Sequence, residues 1–420
     1  MKYAKLSLAA LLALGVSAFA DVNNIKVSGD AKLFYATQDG DNNQIGIRPA
    51  TGDLFSKNNS AGQAALDLAV EADLADSAKG KVAITALNTL GLENNLVSNV
   101  WEGGLGNQWW VSEAWLAKSI ANTTIKVGRQ AIDTPLAFSE TWSIAQNTFD
   151  AAVVLNSDVP NTTLVAAWIG RGNNASGVLG RTGAGTYTNI VRNAANGADP
   201  FVTFGTNGAY AVGAINNSIE NVTLQAWYYD VQQIARAYWL EADVKNAVPN
   251  FIFGAQYANL NPDNEITPDE SSAWALKVGY DFKDAVPGLK ACVSYSSTDD
   301  DGVVNIANTA GTQSKLYTEA WWNYGYVSAP ATDAYNITVK YDMKDVAEFG
   351  AYYTSTDQDK AKNVTMPYDM TEFTLTATKS YGSLNTTLAY IYTDADNQNV
   401  DANGNADSYN TVQVYLTYNF

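Results

Sequence analysis

Alternation of apolar and polar residues with period two recurs from one end of this chain to the other, and few folds can absorb so much of it. The clearest stretch is AALDLAVEADLA, with Leu66, Leu68, Val70, Ala72 and Leu74 on one face and Asp67, Ala69, Glu71 and Asp73 on the other. A side-chain period of two is the mark of a strand with unlike faces. Further stripes are Trp274, Leu276, Val278, Tyr280, Phe282, then Tyr335, Ile337, Val339, Tyr341, with Phe251, Phe253, Ala255, Tyr257 and Leu388, Tyr390, Tyr392. Two stretches, AAVVL and TLVAAWI, are apolar on both parities and leave their register open.

The connections fall into two alternating classes. Short ones lie near 75–79, 120–123, 158–160, 217–220, 246–249, 283–288, 342–345 and 380–383. Polar, mostly long ones rich in Asn, Asp and Gly lie at 39–60, 89–108, 133–148, 171–207, 230–234, 260–271, 298–332, 356–370 and 394–408. Short turns on one side and long loops on the other predict an all-β, transmembrane antiparallel β-barrel with periplasmic turns and extracellular loops. Treating 315–327 as loop makes eighteen strands; sixteen is the alternative. A secreted β-sandwich also alternates, but it has no need of this asymmetry and carries charge on its outer face. Here the apolar stripes carry none, as a lipid-facing wall requires.

Closure of a barrel pairs the final strand, TVQVYLTYNF, with the first, near VSGDAKLFY. That removes the open edges and sets Phe420 in an interfacial aromatic girdle. Before that first strand, MKYAKLSLAALLALGVSAFA has Lys2 and Lys5, a short apolar run and Ala18-Phe19-Ala20. This pattern predicts a secretory signal peptide over 1–20, leaving 21–420 as a single barrel domain. No other segment is apolar enough to span as a helix.

Composition then narrows the chemistry. The chain has no histidine, which excludes Ser-His-Asp and Cys-His catalysis and the HExxH zinc motif. Cys292 is the sole cysteine, so no internal disulfide forms. The net charge is −18, or −20 once the two leader lysines are removed, which argues against nucleic acid as a partner.

The segment IKVGRQAIDTPLAFSETWSIAQNTFDAAVVLN, residues 125–156, resembles the OprD-like porins of Gram-negative bacteria. The shared pattern is a strand ending in Gly-Arg-Gln, a Pro-containing inserted loop, then Thr-Phe before the next strand. The leader, VSGDAKLFY and the terminal Phe resemble the Campylobacter-type major outer-membrane porins. The resemblance implies an eighteen-stranded barrel in the bacterial outer membrane, often a homotrimer, whose third loop folds inward. It also implies lipid and lipopolysaccharide as surroundings and small hydrophilic solutes and ions as cargo. OprD-like channels carry ordered rows of basic lumen residues; only Lys126 and Arg129 stand near that segment here, so uptake of one basic amino acid or carboxylate is not implied.

Strand parity sends Asp67, Glu71, Asp73, Glu113, Glu241, Asp243, Lys277, Asp281 and Lys340 inward, and the inserted loop 133–148 adds Asp133 and Glu140 near the axis. More carboxylates than ammonium groups then face the lumen, which favours cations. Lys126 and Arg129 oppose that preference and keep it moderate. In DADNQNVDANGNAD the residues Asp394, Asp396 and Asp401 are oxygen ligands of the kind calcium takes, although no Glu closes an EF-hand spacing and a hydrated outer loop explains them equally. The aromatic run YTEAWWNYGY, 317–326, suits a sugar-stacking platform, or packing over the barrel mouth or against a neighbouring subunit. The expected function is a passive diffusion channel without a cofactor. A surface structural or adhesive barrel is the alternative, and an enzyme is disfavoured.

Overall fold

In the computed structural model the described residues are 22–40, 53–74, 77–101, 107–173, 201–204, 207–264, 266–311 and 313–420; the leader expected at 1–20 lies outside them. In chain order the strands are β1 (Asn23–Gln38), β2 (Ser60–Asp73), β3 (Ala78–Asn88), β4 (Asn99–Val100), β5 (Asn107–Ile120), β6 (Thr123–Gln130), β7 (Phe149–Asn156), β8 (Thr162–Gly172), β9 (Val202–Thr203) and β10 (Ala209–Asn216). They continue as β11 (Val222–Val231), β12 (Ala235–Lys245), β13 (Phe251–Pro262), β14 (Ser271–Asp281), β15 (Leu289–Thr298), β16 (Thr332–Met343), β17 (Ala347–Gln358), β18 (Met370–Tyr381), β19 (Leu384–Ala395) and β20 (Tyr409–Asn419). The two-residue β4 and β9 belong to loops. The other eighteen pair antiparallel with their neighbours around a closed wall.

Closure is the β1–β20 ladder, running from Asp30↔Asn419 to Gln38↔Thr411. Beyond it Gly29 and Phe420 exchange backbone hydrogen bonds of 3.0 and 2.9 Å. Gly29 is required there, because a Cβ would fall 2.2 Å from the Asp67 carbonyl and 3.0 Å from the Phe420 ring. The chain thus ends paired, with no edge exposed to lipid, where an unsatisfied backbone group costs several kcal/mol.

The short connections reverse tightly by placing Asn161, Asn221, Asn246, Asn250 and Asp345 at positive φ, which Asn and Asp tolerate better than other non-glycine residues. The long connections include 131–148 and 299–331, between β6 and β7 and between β15 and β16. The stretch 315–327 contains no strand, consistent with eighteen wall strands.

Outward and inward parities agree from ladder to ladder. Leu276 and Leu240 face outward, each 51% exposed, whereas Trp239 and Ala275 face inward at 0%. The apolar exposed face is the lipid face. Outward aromatics form two bands. Tyr228–Tyr238, Trp274–Tyr295 and Tyr295–Tyr335, with centroids 5.2, 5.2 and 4.9 Å apart, lie toward the long loops. Phe251–Tyr280 and Tyr280–Phe282, at 5.0 and 4.9 Å, lie toward the short turns. Such bands settle at the two membrane–water interfaces.

The two strands whose register the sequence left open are β7 and β8. Ala151, Val153, Val165, Ala167 and Ile169 face inward, while Leu164, Ala166 and Trp168 face outward. Their inward face is apolar because it meets inserted loops and not water. Leu136, Ile306, Ala310, Leu316 and Val327 pack with it into one core inside the barrel.

Candidate functional site: the lumen and its inserted loops

Two loops fill much of the lumen, and each is fastened by buried polar groups. In 131–148, Thr134 Oγ1 donates to the Ala137 carbonyl at 2.8 Å, and Leu136 N donates to the Tyr229 hydroxyl at 3.3 Å. The Leu136 and Ala137 side chains are then buried against the wall. Asn308, from 299–331, accepts from Phe138 N at 3.1 Å and donates to the Phe138 carbonyl at 2.8 Å. Each loop thereby satisfies the other's backbone, which an apolar interior demands.

Glu140 is not the pore-facing charge the sequence suggested. It is 1% exposed and accepts from Trp142 Nε1 (2.7 Å), Asn308 Nδ2 (2.9 Å) and Gln313 N (2.8 Å). It joins the two loops, and Gly311 makes the approach possible, since a Cβ there would lie 1.9 Å from Glu140 Oε1. Asp133 does stand exposed, ion-paired with Lys315 of the other loop.

Glu372, on β18, was not among the residues singled out by sequence. It is 1% exposed and accepts from the backbone N–H groups of Trp321 (2.9 Å), Trp322 (3.1 Å) and Asn323 (2.7 Å), and from Asn323 Nδ2 (2.9 Å). Its inward parity with Thr374 and Thr376 was legible; its role as an anchor was not, because the donors lie about fifty positions away. Within the loop, Glu319 accepts from Ala320 N (3.1 Å) and Gly325 N (3.4 Å), and from Ser314 N. Burial pushes its carboxyl up to about 8.

The run 317–326 lies inside the lumen and not across the mouth or on an outer surface. Trp322 lies 5.5 Å from Trp101 and 5.8 Å from Trp142, and Trp142 lies 5.6 Å from Tyr324. Tyr317 rests in a notch opened by Gly254, whose missing Cβ would sit 2.6 Å from the hydroxyl. Its hydroxyl donates to Asp243 at 3.1 Å, and Lys277 stands 3.7 Å from the ring centroid. Burial, with the Glu241 and Asp243 charges, pushes the phenol upward.

The inward wall beneath the loops is charged, and many of its carboxylates have a cation beside them. Lys32 bridges Asp67 (2.7 Å) and Asp30 (3.2 Å), Lys81 meets Glu113 (2.5 Å), and Lys277 meets Asp243 (2.9 Å). Lys79 and Asp73, and Lys290 and Asp281, lie 3.4 Å apart. Lys126 stands 4.3 Å over the Trp115 ring and Lys340 5.9 Å from that of Tyr352. Glu71 and Glu241 form no ion pair within 4 Å among the described residues; Glu241 accepts from Trp239 Nε1 (2.9 Å) and Gln256 Nε2 (3.1 Å).

Arg129 is placed differently from the sequence reading. The ladder pairs it with Ala114 and Asp150, on the outward parity of Ile125 and Val127. It therefore does not oppose the lumenal carboxylates. The calcium candidates are also not gathered together: Asp396 accepts from Asp369 N (3.2 Å), and Asp401 caps its own loop through Asn403 N and Asn405 N, both at 2.8 Å. Those bonds hold the Asp401 carboxyl down at about 2. No cluster of three acidic or sulfur and imidazole ligands occurs among the described residues.

The family model described as "Campylobacter major outer membrane protein" matches residues 1–418. No curated protein matches the chain in sequence. Among solved structures, OccAB3 of Acinetobacter baumannii is similar with a TM-score of 0.70 at 14% identity, covering 94% of this chain and 99% of that one. OpdO of Pseudomonas aeruginosa is similar with a TM-score of 0.67 at 11% identity, covering 95% and 98%. At these identities the structural likeness shows a shared fold.

Proposed function

Because the chain belongs to the Campylobacter major outer membrane protein family, we propose that its channel carries small hydrophilic solutes and ions by passive diffusion with a moderate preference for cations. The protein is an outer-membrane channel and not an enzyme. Solutes move down their gradients through water between the wall and the two inserted loops; no bond is made or broken.

The observation that carries the cation preference is the pair of inward carboxylates without a salt-bridge partner, Glu71 on β2 and Glu241 on β12. Glu113 and Asp243 each have a lysine beside them, Asp30 and Asp67 share Lys32, and the inward Lys126 and Lys340 form no ion pair among the described residues, so the preference is smaller than a net charge of −18 suggests. Much of the remaining acid sits in long loops, as at Asp299, Asp300 and Asp301. At about 0.15 M salt the Debye length is roughly 8 Å, comparable to the radius of a constricted pore, and near 1 M it falls to roughly 3 Å. Reversal potentials across planar bilayers should therefore favour potassium over chloride in dilute salt and converge as salt rises. The double substitution Glu71→Gln, Glu241→Gln should reduce the preference. A preference indifferent to salt, or one for anions, removes this reading, and a barrel that gives no conductance steps removes the channel itself.

In the same reading the barrel assembles as a homotrimer in a lipopolysaccharide-bearing leaflet and works without a cofactor. Cross-linking in native membranes tests the copy number, and conductance in excess chelator tests independence from calcium at Asp394, Asp396 and Asp401.

A further inference from the structure

The inner face of the wall is divided by chemistry. From β1 to β6 it carries Lys32, Asp67, Glu71, Lys81, Glu113 and Lys126. From β16 to β20 it is built instead from hydroxyls and amides. Thr338, Thr376, Thr378, Thr387 and Thr417 are half-buried there, and Asn336 and Gln413 are buried. Between the turn-end residues Asp342 and Glu348 and the buried Glu372, Lys340 is the only charged side chain of this face among the described residues. Such a surface offers little to a bare ion. Each hydroxyl both donates and accepts, however, and so matches a solute hydroxyl in either direction.

Aromatic rings stand on the same face. Tyr352, which pairs with Thr338 and Thr374 in the ladders, lies over Gly350, where a Cβ would sit 2.6 Å from a ring carbon and 2.7 Å from the hydroxyl oxygen. That Cβ would also lie 2.6 Å from Thr376 Oγ1, so the ring and the threonine hydroxyl share the glycine notch. Trp321 of the inserted loop stands 6.4 Å from the Tyr352 ring at an interplanar angle of 41°. Its backbone N–H is fixed by Glu372 at 2.9 Å. Lys340 stands 5.9 Å from the Tyr352 ring centroid. Tyr415, on β20, lies three strand spacings from β17, about 14 Å, with its ring 4.7 Å from that of Phe34. The Thr378 and Thr387 hydroxyls, 2.9 Å apart, occupy the two strands between. Tyr352, Trp321 and Tyr415 are all half-buried, so each keeps part of its surface toward lumenal water.

We propose that the β16–β20 face, completed by Trp321, is a binding subsite for neutral sugars inside the channel. A pyranose has C–H groups over its faces and hydroxyls around its rim, and aromatic rings flanked by hydroxyls match both. Its C–H face rests on Tyr352 and Trp321, and its hydroxyls meet Thr338, Thr376 and Lys340. Tyr415 gives a further ring of an oligosaccharide its own aromatic rest. An aromatic carboxylate is the poorer fit, because it uses Lys340 and the rings but leaves the threonine hydroxyls without a partner. The subsite rests on the diffusion-channel reading and gives that channel a solute class: ions follow the charged sector from β1 to β6, and sugars the adjoining uncharged one.

The test follows ion current through single channels in planar bilayers at about 1 M salt, where lumenal charge is screened. Maltotriose is the probe, and polyethylene glycol of the same hydrodynamic size is the control for volume exclusion. Maltotriose should interrupt the current saturably, with a half-blocking concentration roughly tenfold or more below that of the polymer. The Tyr352→Leu, Trp321→Leu variant should raise that concentration roughly fivefold or more, and Thr376→Val roughly twofold. Tyr352→Phe, which keeps the ring, should recover most of what Tyr352→Leu loses. Tyr352→Leu alone carries the test where the double variant does not fold, since it leaves the inserted loop's own residues intact. Equilibrium dialysis of the detergent-solubilised protein against maltotriose reads binding without any conductance, which separates failure of the subsite from failure of the channel reading. Equal block by the polymer, a half-blocking concentration unmoved in Tyr352→Leu, or benzoate displacing maltotriose as the tighter ligand would overturn the proposal.

Discussion

Replacing Glu372 by Ala should release the 299–331 loop from the wall and widen the pore without unfolding the barrel. The loop hangs on this side chain through the backbone N–H groups of Trp321, Trp322 and Asn323 and the Asn323 amide. Each backbone donor left unpaired in a buried setting costs about 1–3 kcal/mol. Water in the lumen replaces some of those bonds, so the lower end applies and the three donors together lose about 3 kcal/mol. That shifts the ratio of released to seated loop by about a hundredfold. Glu372→Gln should fall between the two, since the amide keeps an accepting oxygen but turns an NH2 toward N–H donors. The assay is single-channel conductance with open-channel noise, alongside limited proteolysis within 299–331. Larger and noisier openings with a loop newly open to cleavage are expected, while the barrel keeps its heat-modifiable mobility. Wild-type conductance and protection in Glu372→Ala would show that the apolar core around Leu316 and Val327, with the Asn308, Gln313 and Tyr317 hydrogen bonds, seats the loop without Glu372.

Leu276→Lys puts a charge into the lipid face midway along β14 and should cost about 2–4 kcal/mol in chemical unfolding of the folded barrel; a neutral result would mean that the faces of that strand are reversed. Deleting Phe420 removes its backbone exchange with Gly29 and the ring beside it, so less folded barrel should accumulate in the outer membrane; undiminished levels would separate the seam from assembly. Raising pH through about 8 should ionise Glu319 and raise the potassium-to-chloride permeability ratio, because burial holds that carboxyl neutral below this pH. The same shift makes the seated loop less stable as pH climbs from the ordinary carboxylate range toward 8, since the seated form holds the proton more tightly. Glu319→Gln should abolish both effects, and a pH step that survives in it would assign the titration to another group.

How much could be known without coordinates differs between the wall and its contents. The choice of eighteen strands over sixteen needed the structure, while period-two alternation, short turns opposite long loops and a strand-like terminus determine the barrel and the faces of most strands. They do so because every residue of a wall one strand thick meets lipid on one side and the lumen on the other. Asp67, Glu71, Asp243 and Lys277 were legible for that reason. The same logic lapsed at AAVVL and TLVAAWI, where the lumenal side is filled by loops, so both parities are apolar. It failed again at Glu140, a loop residue, since loop residues have no parity. Arg129 was misplaced because the inserted-loop motif drew it inward, whereas the ladder continues the outward face of Ile125 and Val127. Tertiary structure alone decided that Glu140 would meet Gly311 and Asn308, that Glu372 would hold the backbone of Trp321 to Asn323, and that Tyr317 would fit the notch at Gly254. These partners are separated by about fifty to more than 160 positions in the chain. Local pattern reports which medium a side chain meets; only the closed wall fixes which distant backbone is brought to it.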